Sequence, residues 1–311
     1  MEITISRDLA VWLDRQLAAG VALQDIRRAL LLRGAGSEAV VERLCANLLD
    51  RGARLRDALH ADQCPPLPTA AASPPPPDPE ATPTFVPCHR LPVTGNHVDI
   101  DGCRVDVLLR VESPHAVVVD GILDAKQCHQ LIASARGHLQ PARVIDGKHG
   151  GECFDERRSS ELVSYQRAET PWIDAIERRI AALTGIPLEH GEGLQVMRYG
   201  VGAEYQPHFD HFRLSEPGEA AHLAHGGQRT ATLVMYLNDV DDGGETVFPE
   251  AGVAVTPRRG RAVYFAYADA EGNCDTRAFH GGAPVRRGEK WIATKWFRQR
   301  PHAVVPASCQ N

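Results

Sequence analysis

The stretch RAFHGGAPVRRGEKWIATKWFR, residues 277–298, predicts two strands joined by a turn. Pro-Val and Arg-Gly separate His280 from Lys290 and suit the turn, and the residues that follow are mainly β-branched or aromatic. Because side chains alternate between the faces of a strand, one face would carry Lys290, Ile292, Thr294 and Trp296. Trp291 would face the other way and serve packing. A lysine that points into a barrel is costly unless an anion pairs with it, so the stretch predicts a buried anionic ligand such as a dicarboxylate.

The chain after residue 84 predicts a mainly antiparallel β fold. ATLVMYL (231–237) is a continuous apolar run, as in a buried strand, and VAVTP and AVYFAY have strand character with Gly, Pro and Asp-Gly between them. Helices are expected near 124–137 and 171–184, the second with Pro171 at its first position. Many strands and few helices indicate a β-barrel or sandwich core supported by helices.

EYQPHFDHF, residues 204–212, contains a pair of residues that could bind a metal ion. His208 and Asp210 form an H-x-D pair, whose side chains would point to the same side of a strand. A chain with 14 histidines is expected to contain such a pair by chance, and it contains another, His97 and Asp99. Neither pair alone indicates a site. Because no further candidate ligand accompanies the second pair, we interpret it as a polar hairpin turn.

A third ligand would turn His208 and Asp210 into a metal site. Two histidines and one carboxylate suit non-haem Fe(II), which keeps three positions open for other ligands. His280 is the candidate, because Lys290 follows it at a distance that suits the strand, turn and strand. Zinc is the alternative metal, although catalytic zinc sites use other ligand sets and have no such lysine.

Three ordered segments resemble one enzyme family: LQVMRYGVGAEYQPHFDHF (194–212), GGQRTATLVMYLNDVDDGGETVFP (226–249) and HGGAPVRRGEKWIATKWFR (280–298). They are similar to the prolyl 4-hydroxylase branch of the Fe(II)/2-oxoglutarate dioxygenases. HAVVVDGILDAKQCHQLI (115–132) resembles that family's opening strand and helix, so the resemblance covers about residues 113–300. It implies a mainly β fold with supporting helices, in which a double-stranded β-helix (jelly roll) forms the catalytic core.

The resemblance assigns the metal and cosubstrate residues by position. The Fe(II) ligands would be His208, Asp210 and His280. Lys290 would form a salt bridge with the distal carboxylate of 2-oxoglutarate, and the Tyr199 hydroxyl would bind the same end. The implied cofactor and cosubstrates are Fe(II), 2-oxoglutarate and O2, with ascorbate as a reductant.

Four more residues are assigned to the substrate by the same resemblance: Tyr205, Trp296, Arg229 and Arg158. The two aromatic residues fall where relatives line the pocket for the target ring. The two arginines fall on the substrate side, Arg158 in DERRSSELV (155–163), where serine at 159 replaces the family's threonine. The preceding VIDGKHGGEC (144–153) lies where relatives carry a mobile loop that closes over a peptide.

The implied reaction couples oxidative decarboxylation of 2-oxoglutarate, to succinate and CO2, to hydroxylation of an unactivated C–H bond. The family branch indicates C4 of a prolyl residue in a peptide or protein as the target. Two alternatives stay open: a hydroxylase of the same fold that acts on a free amino acid or other small molecule, and a non-enzymatic binding protein. The ligand set and Lys290 count against the second alternative.

Composition argues against several other classes. A net charge of −6 is unsuited to a protein that mainly binds nucleic acid, which needs a basic face. No run approaches the ~18 apolar residues of a membrane span, and MEITISRDLA lacks the features of a signal peptide. The eight cysteines include no C-x-x-C pattern, so we expect reduced thiols and a cytoplasmic location.

Several residues near the motifs are expected to have no site role. Phe209 should pack on the face opposite His208, and the cluster RRGR (258–261) should be a solvated turn. Arg298 is either a rim residue that touches substrate or a charge at a strand end. Three histidines are expected to be solvated: His211, His222 and His225.

The sequence divides into three parts. Residues 1–63 predict a small all-helical module, because apolar residues recur at helical spacing in three short segments. Residues 64–84 hold nine of the 22 prolines and predict an extended linker. Residues 85–311 would form the dioxygenase domain. The helical module is either a plain appendage or the binding site of a protein partner.

Overall fold

The structure, a computed structural model, describes residues 85–213 and 215–302. The predicted helical module (1–63) and the predicted linker (64–84) lie outside the described residues, and so both stay predictions.

The described residues form 17 strands and three α-helices. The strands are β1 His97–Ile100, β2 Cys103–Val111, β3 His115–Asp120, β4 Gln140–Pro141, β5 Val144–Ile145, β6 Glu152–Cys153, β7 Glu161–Tyr165, β8 Leu194–Tyr199, β9 Tyr205–His208, β10 Arg229–Tyr236, β11 Asp242–Gly243, β12 Thr246–Phe248, β13 Val253–Val255, β14 Ala262–Ala266, β15 His280–Gly282, β16 Val285–Arg287 and β17 Lys290–Arg298. The helices are α1 Ala125–Ala135, α2 Pro171–Thr184 and the single turn α3 Pro217–Ala220.

Two sheets make the body of the fold, and every ladder in them is antiparallel. The major sheet has nine strands in the order β1-β2-β3-β14-β10-β17-β8-β7-β4. The minor sheet has four strands in the order β13-β12-β15-β9, and two short ribbons pair β11 with β16 and β5 with β6. The mainly β class is therefore confirmed, with an arrangement that is consistent with a jelly roll.

The two faces of the major sheet belong to different cores. On β10, Leu233 and Met235 contribute to the core that includes residues of α1 and α2, whereas Val234 and Tyr236 face the minor sheet. The same alternation along β17 puts Trp291 on the helix side, as predicted. Alternate side chains of a strand point to opposite faces, so parity in the sequence decides which residues reach the space between the sheets.

The two long helices begin and end where their sequences provide caps. Asp124 and Gln127 form a capping box at the start of α1, in which each side chain bonds the other residue's backbone N–H. Thr170 caps α2 ahead of Pro171, and Gly185 ends it with a φ of 69°, a conformation that favours glycine. The helices predicted near 124–137 and 171–184 are confirmed. Neither these nor any other helix in the described ranges is long and apolar enough to span a membrane.

A buried ion pair fastens α2 to the back of β17. The Lys295 ammonium donates to the Glu177 carboxylate, and both side chains are almost completely buried. The same carboxylate accepts a second bond of 2.8 Å from the backbone N–H of Ala168. Because both charges have partners, this pair holds the helix in register on the strand that also carries Lys290.

One predicted turn is in fact a strand. His97 and Asp99 lie in β1, where both are exposed, and β1 pairs with β2. The turn itself comes two residues later, at Asp101 and Gly102, whose positive φ angles of 50° and 74° suit a tight Asp-Gly hairpin. The prediction that residues 258–261 form a turn is confirmed, since they connect β13 to β14.

Candidate active site

The minor sheet brings the three predicted ligands together. His208 at the end of β9 and His280 at the start of β15 are directly opposite partners in the ladder. Asp210 follows β9 by two residues, and its carboxylate oxygens lie 3.5 Å from Nε2 of each histidine. One ligand atom from each residue falls within 4.8 Å of the others, a grouping that could hold one metal ion.

The orientation of both imidazoles fits metal binding. Nδ1 of His208 lies 2.9 Å from the carbonyl oxygen of Gln206, and Nδ1 of His280 lies 2.9 Å from that of Ala278. Because a carbonyl only accepts, each Nδ1 must carry the proton, which leaves the Nε2 lone pair free. A second ring nitrogen that donates to a backbone carbonyl is the usual arrangement for a metal-binding histidine.

The charge state of the trio also fits a metal. Burial lowers the pKa of His280 to about 4, although Asp210 acts in the opposite direction, so the imidazole is neutral at pH 7. Burial alone would raise the pKa of Asp210, but His280, His208 and Arg229 together hold it well below its usual range. A neutral imidazole and an ionised carboxylate are the forms that bind metal ions.

Lys290 is a buried cation without an anionic partner in the described residues. Its side chain is 2% exposed, and Nζ lies 5.0 Å from the centre of the Tyr199 ring on the neighbouring strand β8. Burial lowers the pKa of the ammonium to about 8, and only the distant Glu245 opposes this. Tyr199 is also buried, so a cation and a phenol meet in one pocket, as the sequence predicted.

A cavity open to solvent joins the metal trio to Lys290. It is lined by eight of the nine predicted site residues: Arg158, Tyr199, Tyr205, His208, Asp210, His280, Lys290 and Trp296. The Tyr205 ring stacks on His208 with centroids 3.6 Å apart, and the Arg158 guanidinium lies 5.0 Å from the same ring.

Arg229 is the predicted residue that does not line the cavity. Its guanidinium bonds the Glu192 carboxylate twice, at 2.7 Å each, and Nη1 reaches the Asp210 carbonyl oxygen at 3.3 Å. It also lies 4.4 Å from the Trp296 ring centre. The guanidinium of Arg229 is therefore fully engaged by neighbouring residues. It supports Trp296 and the segment that contains Asp210.

Two of the three histidines that were expected to be solvated are partly buried. His211 lies beside Phe209, and the His222 ring stacks on Phe212 while its Nε2 is 3.3 Å from the Gly150 carbonyl oxygen. His222 packs because residues 217–222 are held against residues 147–150. His225 is exposed, as expected.

Arg298 is a charged residue at the end of β17, and its side chain holds residues 222–225 in place. Its side chain is buried, with one bond of 2.9 Å to Glu192 and bonds of 2.6 Å to the carbonyl oxygens of His222 and His225. These bonds support the segment that contains His222 and His225.

Sequence reasoning missed three polar residues behind the site: Thr232, Tyr267 and Glu192. The Thr232 hydroxyl donates to Oδ2 of Asp210 at 2.7 Å, and Glu192 joins the two arginines Arg229 and Arg298. A hydroxyl inside the apolar run ATLVMYL was an available signal, since a buried polar group needs a partner. Nothing in the local sequence, however, identifies that partner.

Comparison with known proteins agrees with this geometry. The model of the 2OG-Fe(II) oxygenase superfamily matches residues 194–298, which contain every predicted metal and cosubstrate residue. Prolyl 4-hydroxylase 1 of Arabidopsis thaliana is 41% identical over 203 residues, which cover 60% of this chain and 70% of the relative. Prolyl 4-hydroxylase 5 of the same plant is 38% identical, with 59% and 68% covered.

The chain belongs to the prolyl 4-hydroxylase family. It is accordingly a 2-oxoglutarate-dependent dioxygenase that uses Fe(II), 2-oxoglutarate and O2. Among solved structures, the viral collagen prolyl hydroxylase of Paramecium Bursaria Chlorella virus-1 is 29% identical, with a TM-score of 0.46, and the match covers 59% of this chain and 95% of that one.

Proposed function

We propose that this prolyl 4-hydroxylase adds oxygen to C4 of a prolyl residue within a peptide or protein, with His208, Asp210 and His280 as the Fe(II) ligands. The observation that carries the proposal is that one cavity contains both this trio and Lys290, which has no anionic partner in the described part of the chain. A ligand trio alone suits many metal enzymes, but a buried cation at the other end of the cavity suits a cosubstrate with two carboxylates.

The trio offers two imidazole nitrogens and one carboxylate oxygen, a donor set that suits Fe(II) and leaves coordination positions for other ligands. Bound Fe(II), with 2-oxoglutarate and O2, supplies the oxidising power for an unactivated C–H bond. The chain itself fixes the tautomers of His208 and His280 and keeps Asp210 ionised. These residues need no rearrangement of protons before the metal binds.

Two lysines on β17 differ in a way that supports the cosubstrate role. Lys290 and Lys295 are both 2% exposed, five residues apart, and therefore on opposite faces of the strand. Lys295 is neutralised by Glu177, whereas Lys290 has neighbouring rings but, among residues 85–213 and 215–302, no carboxylate to pair with. We propose that the distal carboxylate of 2-oxoglutarate supplies the missing charge and that the Tyr199 hydroxyl donates to it.

The proposed place for the prolyl ring is between Tyr205 and Trp296. Both aromatic residues line the cavity, and a prolyl ring presents apolar C–H groups that pack against aromatic faces. Trp296 Nε1 is buried without a hydrogen-bond partner in the described chain. An indole N–H only donates, so a carbonyl oxygen of the peptide is the natural acceptor for it.

The loop that was predicted to cover the peptide, residues 144–153, is a short ribbon formed by β5 and β6. It is held to the 217–222 segment, where the Gly218 N–H donates to the Gly147 carbonyl at 2.8 Å. A side chain at position 218 would collide with Gly150, since an added Cβ would lie 2.3 Å from its nitrogen. The ribbon and the 217–222 segment therefore form one wall.

This wall ends in an exposed aromatic residue. Phe154 is 65% exposed, and the Arg143 guanidinium lies 4.6 Å from its ring centre. The Arg143 carbonyl accepts a bond of 3.2 Å from Arg158, which lines the cavity. Exposed aromatic surfaces bind proline-rich peptides in their extended form. We propose that Phe154 contacts the peptide on one side of the target proline.

Replacing Phe154 with alanine should raise the KM for a proline-containing peptide by roughly tenfold, because an interface aromatic contributes about 1–2 kcal/mol. The KM for 2-oxoglutarate should not change. Steady-state kinetics with each substrate varied in turn would measure both values. Leu108→Ala is the matched control, since Leu108 is also exposed but lies on β2. Equal peptide KM values for Phe154→Ala and the control would contradict the contact.

The function itself is tested by offering a proline-containing peptide and free proline to the Fe(II)-loaded enzyme under identical conditions. Succinate release and mass spectrometry of both products would follow the reaction. We expect oxygen on the peptide. Oxygen on free proline alone would favour the small-molecule alternative, and a protein that binds neither Fe(II) nor 2-oxoglutarate would favour the non-enzymatic one.

Three further proposals come from the sequence and its resemblance alone. They are ascorbate as a reductant, a cytoplasmic location and a protein partner for residues 1–63. The net charge of −6 supports a substrate other than nucleic acid.

A further inference from the structure

We propose that Tyr267 and Thr232 are positioning residues for the metal: the Tyr267 phenol donates to Thr232, which donates to Asp210 and holds its carboxylate in the orientation that binds Fe(II). This inference rests on the proposed role of Asp210 as a ligand. It concerns residues outside the metal trio, neither of which the resemblance assigns to a role.

The contacts define a chain of two hydrogen bonds. Thr232 Oγ1 lies 2.7 Å from Oδ2 of Asp210 and 3.0 Å from the Tyr267 hydroxyl. All three side chains are buried, with Thr232 and Tyr267 each 1% exposed. Thr232 lines the cavity, but its hydroxyl has both of its partners within the protein, and Tyr267 is buried, so these two bonds satisfy both groups.

The direction of the chain follows from the number of protons. An ionised carboxylate only accepts, so the single proton of the Thr232 hydroxyl must point to Asp210. The threonine oxygen can then only accept from Tyr267, which makes the phenol the first donor. The relay therefore runs from Tyr267 through Thr232 to Asp210, and reversing either bond would leave two acceptors facing each other.

Both donors are fixed by the major sheet. Thr232 lies in the middle of β10, between β14 and β17, where its neighbours cannot shift independently. Tyr267 follows β14 directly, and its backbone N–H donates to the Thr230 carbonyl at 2.9 Å. Asp210, in contrast, lies beyond the end of β9. The relay thus connects the ligand on the loop to the central strands of the major sheet.

The consequence concerns how the carboxylate is presented. With Oδ2 engaged by Thr232, rotation of the carboxylate is restricted, and Oδ1 stays 3.5 Å from Nε2 of His208. Without the threonine hydroxyl, the carboxylate would have to be ordered when the metal binds. Loss of such a supporting bond typically weakens metal binding by about 10–100-fold.

Thr232→Val removes the hydroxyl and keeps the shape of the side chain. In an anaerobic titration of the metal-free protein with Fe(II), we expect its dissociation constant to rise about 10–100-fold. Thr232→Ser should restore affinity to near the wild-type value, because the hydroxyl returns. Tyr267→Phe, which removes the first donor only, should weaken binding roughly fivefold.

Thr230→Val is the matched control. Thr230 is buried on the same strand two residues away, and its hydroxyl bonds His89 and the Phe297 carbonyl, not Asp210. Its Fe(II) affinity should stay at the wild-type value, even if the variant unfolds at a lower temperature. Equal affinities for Thr232→Val and the wild type would overturn the inference. A wild-type protein that binds no Fe(II) would instead contradict the proposed metal site itself.

Discussion

His280→Ala is expected to abolish turnover, with a loss of about 1000-fold or more in kcat/KM. His280 supplies one of three protein ligands, and its Nε2 faces Oδ2 of Asp210 at 3.5 Å. Alanine leaves two ligands from β9 and its extension, and no other histidine or acidic residue of the described chain completes a trio with them. Succinate release would measure the loss of turnover, and Fe(II) titration would measure the loss of metal binding. The two losses should occur together.

The second H-x-D pair provides the control for this experiment. His97→Ala removes an exposed histidine from β1, far from any candidate ligand in the described residues, and should leave turnover within about twofold. The fold of both variants would be checked by thermal unfolding of the metal-free protein. Substantial turnover by His280→Ala would contradict the ligand role.

Lys290→Met is expected to make the ligand-free protein more stable and nearly unable to use 2-oxoglutarate. Burial lowers the pKa of Lys290 from its ordinary 10.5 to about 8. The unfolded chain therefore binds more protons between pH 8 and 10.5, so the stability of the wild type rises with pH across that window. Below pH 8 the full cost of burying the charged Lys290 ammonium is present, and it lowers the free energy of unfolding by about 3 kcal/mol. Methionine removes most of this cost.

The same substitution removes the proposed partner of the distal carboxylate. A hydrogen bond between charged groups contributes about 1.5–3 kcal/mol, so the affinity for 2-oxoglutarate should fall roughly 10–100-fold. In the wild type the affinity should weaken as pH rises above about 8, because the free ammonium loses its proton there. Calorimetric titration with 2-oxoglutarate from pH 7 to about pH 9.5 would show this slope in the wild type and none in Lys290→Met.

Lys295→Met is the matched control on the same strand. Lys295 is equally buried but neutralises Glu177, so its removal leaves an uncompensated buried carboxylate. We expect a loss of about 3–5 kcal/mol in the free energy of unfolding. Opposite signs for the two Lys→Met changes would support the account. Destabilisation by both would contradict the view that Lys290 lacks an anion in the free protein.

The sequence predicted those parts of the site that depend on strand parity. Alternation along 290–298 placed Lys290 and Trp296 on the cavity side and Trp291 on the helix side, and the structure agrees. The helices at 125–135 and 171–184 were predictable for a similar reason, since their caps are local. Parity and capping act over a few residues and can be read without knowledge of the fold.

Contacts between distant segments could not be predicted in this way. The salt bridge between Arg229 and Glu192 joins residues 37 positions apart, and the hydrogen bond between Tyr267 and Thr232 joins residues 35 positions apart. Each depends on the order of strands in the major sheet, which places β10 between β14 and β17. The sequence identified which side chains could bind a metal or a ligand. The order of strands in the sheet decides which of them already bond other residues of the protein.

We propose that the Fe(II) trio and Lys290 act together when the enzyme hydroxylates a prolyl residue at C4. The most direct measurement uses a peptide with one proline, isotopically labelled O2 and the Fe(II)-loaded enzyme, with the product analysed by tandem mass spectrometry and amino-acid analysis. The account predicts one labelled oxygen at C4 of that proline for each succinate formed, and none with His280→Ala. Succinate formed with wild-type enzyme but without oxygen on the proline would contradict it.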